Sequence, residues 1–122
     1  MATIDLTTDS FSQAVDDTGI LIVDFWAAWC GPCRAFAPVF QAASKVHPDI
    51  TFGKADTEAE QQLASAAGIS SIPTLMGFRD RILVFSQPGA LSGPQLEQVI
   101  AGVKGLDMDE IRSKMAVAAP TA

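Results

Sequence analysis

From Ile20 to Trp29 the chain is apolar at every position but Asp24, which reads as a strand covered on both faces together with its exit. A strand with one wet face would alternate instead. Thr3 to Leu6 does alternate and predicts a short edge strand, after which Thr8 or Asp9 can cap a helix carrying Phe11, Ala14 and Val15 on one face. The turn Asp16-Asp17-Thr18-Gly19 ends that helix. Beyond Trp29, Arg34 to Val46 reads as a helix that Pro38 bends and that stops near His47-Pro48. There His47 reads as a solvated side chain, favoured at a helix C-terminus when charged. Ile50 to Ala55 is the next core strand, and the order strand, helix, strand implies a parallel pair joined by a right-handed crossover.

In the second half, Thr57 and Glu60 have the spacing of a capping box for a helix with Leu63, Ala64 and Ala67 on its inner face, stopped by Gly68. Two strands follow, Thr74 to Phe78 and Ile82 to Ser86, and the short polar link between them predicts an antiparallel hairpin. Ser92 to Val103 carries Leu96, Val99, Ile100 and Val103 at helical spacing. The elements add up to an α/β domain: a central mixed sheet, a βαβ half followed by a ββα half, with helices on both faces. That domain spans residues 1–104. Residues 105–122 form a C-terminal extension, in which Met108, Ile111 and Met115 line one face of a short helix and Val117 to Ala122 read as a flexible tail.

Composition narrows the function classes. A chain of 122 residues, nearly half of them hydrophobic, can bury a core without metal or disulfide staples. Its net charge of −6 argues against nucleic acid as a partner, since phosphate binding needs clustered Lys and Arg. The N-terminus has neither a basic stretch nor an apolar one of signal-peptide type, and no apolar run is long enough to span a membrane. The expectation is a cytoplasmic monomer that does not associate with membranes.

Both cysteines lie in Trp29-Cys30-Gly31-Pro32-Cys33, where the apolar strand hands over to a helix. Unpaired N–H groups and the helix dipole favour negative charge at such a place, so Cys30 is expected to be the exposed, acidified sulfur. Cys33, one turn later on the same face, can close a disulfide on it. Gly31 allows the tight loop, and Pro32 fixes φ at a first-turn position that needs no donor. Duller explanations fit less well. A structural disulfide across two residues would restrict the unfolded chain very little, and a zinc site would need two more ligands where the chain offers only His47. Pairing a nucleophilic cysteine with His47 leaves the other cysteine without a purpose. The motif describes a switchable dithiol.

The chain resembles the thioredoxin family. The match rests on Val23 to Cys33, on Pro38, on Ile72-Pro73-Thr74 and on Gly89-Ala90-Leu91, in the family's order and near its spacing from about Ile4 to Val103. The resemblance implies a protein-disulfide reductase in which Cys30 attacks a substrate disulfide and Cys33 resolves the mixed disulfide. No bound cofactor or metal is expected, because electrons would come from NADPH through a thioredoxin reductase. Trp29, Gly31, Pro32, Ile72, Pro73, Gly89 and Ala90 would form the substrate groove, with Pro73 at the family's cis-proline. Asp24 matches the family's buried aspartate, and Trp26 and Lys54 its supporting residues, although Lys54 taken alone reads as an ordinary surface lysine. Where relatives commonly place Asn-Gly in the hairpin turn, this chain has Asp80-Arg81.

Two rival functions carry distinct marks. An oxidase or isomerase on the same fold often has His between the cysteines, whereas Gly31-Pro32 resembles the reducing members. A binding module that lends its groove to a larger enzyme would keep its activity without either cysteine. From the residues alone, Asp24 among Ile22, Val23, Phe25 and Trp26 is desolvated, which predicts a carboxyl pKa above its ordinary value.

Overall fold

Strand β2 (Ile20–Trp26) sits at the middle of a five-stranded sheet, and it is there because its residues from Leu21 to Phe25 are all buried. Only a central strand with both faces covered can hide such a run. In the computed structural model, which describes residues 3–118, the order is β1 (Ile4–Asp5), α1 (Phe11–Asp17), β2, α2 (Gly31–Val46), β3 (Thr51–Asp56), α3 (Gln61–Ala66), β4 (Thr74–Arg79), β5 (Ile82–Pro88), α4 (Gly93–Lys104) and α5 (Met108–Ala118). The sheet runs β1-β3-β2-β4-β5; β3 pairs in parallel with β1 and β2, while β4 runs antiparallel to β2 and β5. This is the mixed α/β architecture expected from the sequence. Of the tail expected over Val117 to Ala122, Val117 and Ala118 instead continue α5, and residues 119–122 lie outside the described residues.

Alternation along β2 feeds two cores. Ile22 joins Phe36, Phe40, Leu96 and Ile100, so one face is closed by α2 and α4. Leu21, Val23 and Phe25 join Leu6, Leu63 and Met76, with Phe11 and Val15 of α1 packed against them. Edge-to-face rings fix each layer: Phe40 against Phe52 at 5.3 Å on the first face, Phe11 against Phe78 at 5.6 Å on the second. At Gly53 of β3 a Cβ would fall 2.5 Å from Leu6 Cδ1, so this strand position must stay bare for the edge to close.

Several local expectations are corrected. β1 shrinks to two residues, and α1 starts after Ser10 rather than after Thr8 or Asp9. Thr7 and Ser10 instead exchange side-chain bonds with each other's amides, at 2.9 and 3.0 Å, and close a turn. No capping box forms at α3. Glu60 Oε1 accepts the Thr8 N–H at 2.7 Å and Thr57 Oγ1 donates to the Trp26 carbonyl at 3.1 Å, so both residues tie the loop to neighbouring elements. His47 is not a free surface group: Nε2 bonds Glu97 Oε1 at 2.8 Å, and the ring stacks on Phe52.

The extension is docked. Met108 is buried, Ile111 half-buried and Met115 exposed. Arg79 Nη1 donates to the carbonyls of Val103 and Lys104 at the end of α4 and of Leu106 just beyond it, tying β4 to the start of the extension. Arg112 of α5 bonds Asp80 in the β4–β5 turn.

That turn has φ of +52° at Asp80 and +71° at Arg81, the pattern of a type I′ hairpin that Asn-Gly would adopt without strain. The Asp80 N–H bonded to the Gly19 carbonyl at 2.9 Å and the Arg112 contact hold it in place. Left-handed backbone costs a side-chain-bearing residue about 1–2 kcal/mol. Arg81→Gly is therefore expected to raise stability by about 1 kcal/mol, read as a higher urea midpoint at unchanged slope.

Candidate active site

Helix α2 begins at Gly31, which makes Cys30 its N-cap residue. With Pro32 in the first turn supplying no donor, the Cys33 N–H is the first that can turn back, and it donates to Cys30 Sγ at 3.2 Å. The two cysteines form a disulfide with Cα atoms 5.2 Å apart. Arg34 N–H bonds the Cys30 carbonyl at 3.1 Å, and its Nη1 reaches back to the Ala28 carbonyl at 2.8 Å, bracing the loop from the other side.

Exposure within the motif differs from expectation. Cys30 is only 4% exposed against 2% for Cys33, because Ile72 and Trp26 pack against the pair and the Ile72 carbonyl lies 3.8 Å from Cys30 Sγ. The exposed members are Trp29, at 67%, and Gly31 and Pro32. Approach to the sulfur runs through a groove of about 460 Å³ between the Trp29–Pro32 loop and residues 69–72. Trp29, Cys30, Gly31, Pro32 and Ile72 line it, as expected.

Others of the anticipated set stand beside the groove. The Ile72-Pro73 bond is cis, Pro73 is buried, and its carbonyl accepts the Gly89 N–H at 2.8 Å. Gly89 and Ala90 are exposed and do not line the groove itself. Sequence reasoning missed Thr57, Ile69, Ser70 and Ser71 in the wall. The neighbourhood of Pro73 was the available signal for the last three; none pointed to Thr57. It also missed Glu58, whose Oε1 accepts the Trp29 indole N–H at 2.8 Å.

Asp24 occupies the middle of β2, in register with Lys54 of β3 and Leu75 of β4. It is fully buried, and neither carboxyl oxygen has a hydrogen-bond partner in the protein. Desolvation pushes its pKa from 3.8 up to about 6, against a smaller downward pull from the Lys54 charge. Lys54 Nζ stands 4.6 Å from the centre of the Trp26 ring, a cation–π contact that gives it a structural setting beyond that of a surface lysine. Among the described residues no group of three or more His, Cys, Asp or Glu side chains is placed to hold a metal ion. No helix among them is long and apolar enough to cross a membrane.

A helix that starts on a cysteine, a second cysteine bonded to it and a cis-proline loop against the sulfur make a thiol–disulfide exchange centre. The family model described as Thioredoxin matches residues 2–102. The chain belongs to the thioredoxin family. A thioredoxin-2-like protein of Streptomyces coelicolor is 51% identical over 115 residues, covering 94% of this chain and 86% of that one. The thioredoxin of Alicyclobacillus acidocaldarius is 41% identical over 103 residues, covering 84% and 98%. Among solved structures, Plasmodium falciparum thioredoxin superposes with a TM-score of 0.77 at 29% identity, over 82% of this chain and 98% of that one. This thioredoxin is accordingly a thiol–disulfide oxidoreductase.

Asp24 sets a pH dependence whose sign follows from its raised pKa. Between pH 4 and 6 the unfolded chain has released a proton that the native state still holds, so native stability falls as pH rises through that window. The difference corresponds to about 3 kcal/mol, fully lost above pH 6. Asp24→Asn is expected to exceed the parent in stability by about 2–3 kcal/mol at pH 8 and to match it near pH 4, measured by urea unfolding across pH. A difference that does not change with pH would show that Asp24 does not titrate between the two states.

Proposed function

We propose that this thioredoxin works as a protein-disulfide reductase, with Cys30 as attacking and Cys33 as resolving sulfur. The observation that carries the assignment is the Cys33 N–H directed at Cys30 Sγ at the start of α2. In the reduced pair that donor and the helix dipole favour the thiolate at Cys30 over one at Cys33. Cys30 thiolate attacks one sulfur of a substrate disulfide; the S–S bond breaks and the second substrate sulfur leaves as thiolate. Cys33, once deprotonated, attacks Cys30 Sγ, expels the first substrate sulfur and forms the Cys30–Cys33 disulfide. Two electrons pass from the dithiol to the substrate, and the substrate's two thiolates take up protons.

Asp24 accepts the Cys33 proton. Its raised pKa supports that role, because a carboxyl titrating near 6 is closer to a thiol in proton affinity than an ordinary one. Lys54 offsets part of the negative charge on Asp24 and is itself held over the Trp26 ring. Pro73 and Ile72 face an extended substrate segment across from Trp29, Gly31 and Pro32, with Gly89 and Ala90 at the far rim; backbone pairing at Ile72 gives affinity with little demand on sequence.

Electrons return from NADPH through a thioredoxin reductase, with no cofactor bound to this chain. The protein acts as a cytoplasmic monomer, serving electron transport to protein disulfides and cell redox homeostasis.

Three measurements check this. Cys33→Ser is expected to accumulate mixed disulfides on Cys30, while Cys30→Ser traps few, as counted by mass spectrometry; trapping mainly through Cys33 reverses the order of attack. NADPH oxidation coupled by a thioredoxin reductase to insulin reduction should depend on the parent chain and fall at least a hundredfold in either serine variant. In single-turnover reduction, Asp24→Asn slows release of the mixed disulfide about tenfold or more while leaving its formation within twofold.

A further inference from the structure

Glu58 stands at the mouth of the groove with a job that the exchange chemistry does not use. Its Oε1 takes the Trp29 indole N–H at 2.8 Å and its own N–H is held by Asp56 Oδ1 at 2.9 Å, so both backbone and side chain are fixed. The side chain is nonetheless exposed, and the indole bond occupies only one carboxylate oxygen. Apart from the Cys30 thiolate of the reduced pair, which every substrate meets alike, none of the residues lining the groove carries a charge, so differences between substrates are read at the rim. On the rim, Arg34 keeps its positive charge while donating to the Ala28 carbonyl and Lys54 keeps its own over Trp26, so negative charge is a local feature of Trp29, whose indole N–H Glu58 accepts.

Resting on the reductase reading above, we infer that Glu58 is a specificity-determining residue that selects disulfides flanked by lysine or arginine. A cation beside the substrate cysteine meets the free oxygen of Glu58 and the exposed face of Trp29 together. The indole face attracts cations in its own right, and donating its N–H to a carboxylate makes the ring more electron-rich. Exposed pairs of this kind are weak and screened by salt, so the effect is a rate preference rather than an absolute filter. Rim charges act mainly on encounter.

The test uses the full chain in its reduced form and three disulfide peptides identical except for the residue flanking the cysteine: Lys, Ser or Glu. At ionic strength of about 0.01 M the reduction rates are expected to run Lys, Ser, Glu, each step roughly two- to fivefold, and to converge near 1 M, where the Debye length falls to about 3 Å. Glu58→Gln keeps an oxygen for the Trp29 N–H but removes the charge, and should bring the Lys-to-Glu ratio close to one. Glu110→Gln, which removes the same charge from α5, should leave the ratio as it was. An unaltered ratio in Glu58→Gln, an equal loss in Glu110→Gln, or a preference indifferent to salt would each overturn the assignment. Reduction of all three peptides at one rate ends this inference alone; failure to reduce any of them ends the reductase reading with it.

Discussion

A helix has N–H groups at its start that nothing inside the helix can satisfy, and here one of them is met by sulfur. Cys33 N–H turns back onto Cys30 Sγ across a first turn whose other early position, Pro32, has no donor to compete. This one contact places Cys30 at the positive end of α2 and brings Cys33 within bonding reach. The position of α2 is inherited in turn from β2, whose two-sided burial anchors the strand in the middle of the sheet and delivers its C-terminal end to the site. Core and chemistry share one segment of chain.

The same strand carries the cost. A carboxyl with no protein partner in the middle of a closed sheet opposes folding, and Lys54 offsets only part of that burden while itself standing over Trp26. Replacing Asp24 by an apolar residue would suit the two cores better. Under the proposed mechanism its presence separates what is good for the fold from what is good for the exchange reaction, and the separation falls on a single side chain.

Much of this was legible in the chain. The apolar run through β2, the strand–helix–strand order and the cysteine spacing have local causes, so they read directly from neighbours in sequence. Asp24 was legible for the same reason: its flanking residues already imply the desolvation that raises its pKa. What escaped was set by partners far along the chain. Glu60 left its capping role for the Thr8 amide, 52 residues away, and His47 left solvent for Glu97, 50 residues away. Cys30 was expected to be exposed because nothing local covers it, yet Ile72 does. The Asp80-Arg81 turn shows the reverse case: residues poorly suited to left-handed backbone adopt it because the strands on either side and Arg112 demand it.

The groove has walls from residues 29–32 and 69–72, segments far apart in the chain that are brought together by the sheet in which β2 lies between β3 and β4. A chain still emerging from synthesis, with β4 unmade, has both cysteines but no second wall, no Ile72 carbonyl beside the sulfur and no completed strand pairing around Asp24. The groove beside the sulfur therefore belongs to the closed sheet and not to the cysteine segment alone, so the pair and its second wall are made at different points along the chain.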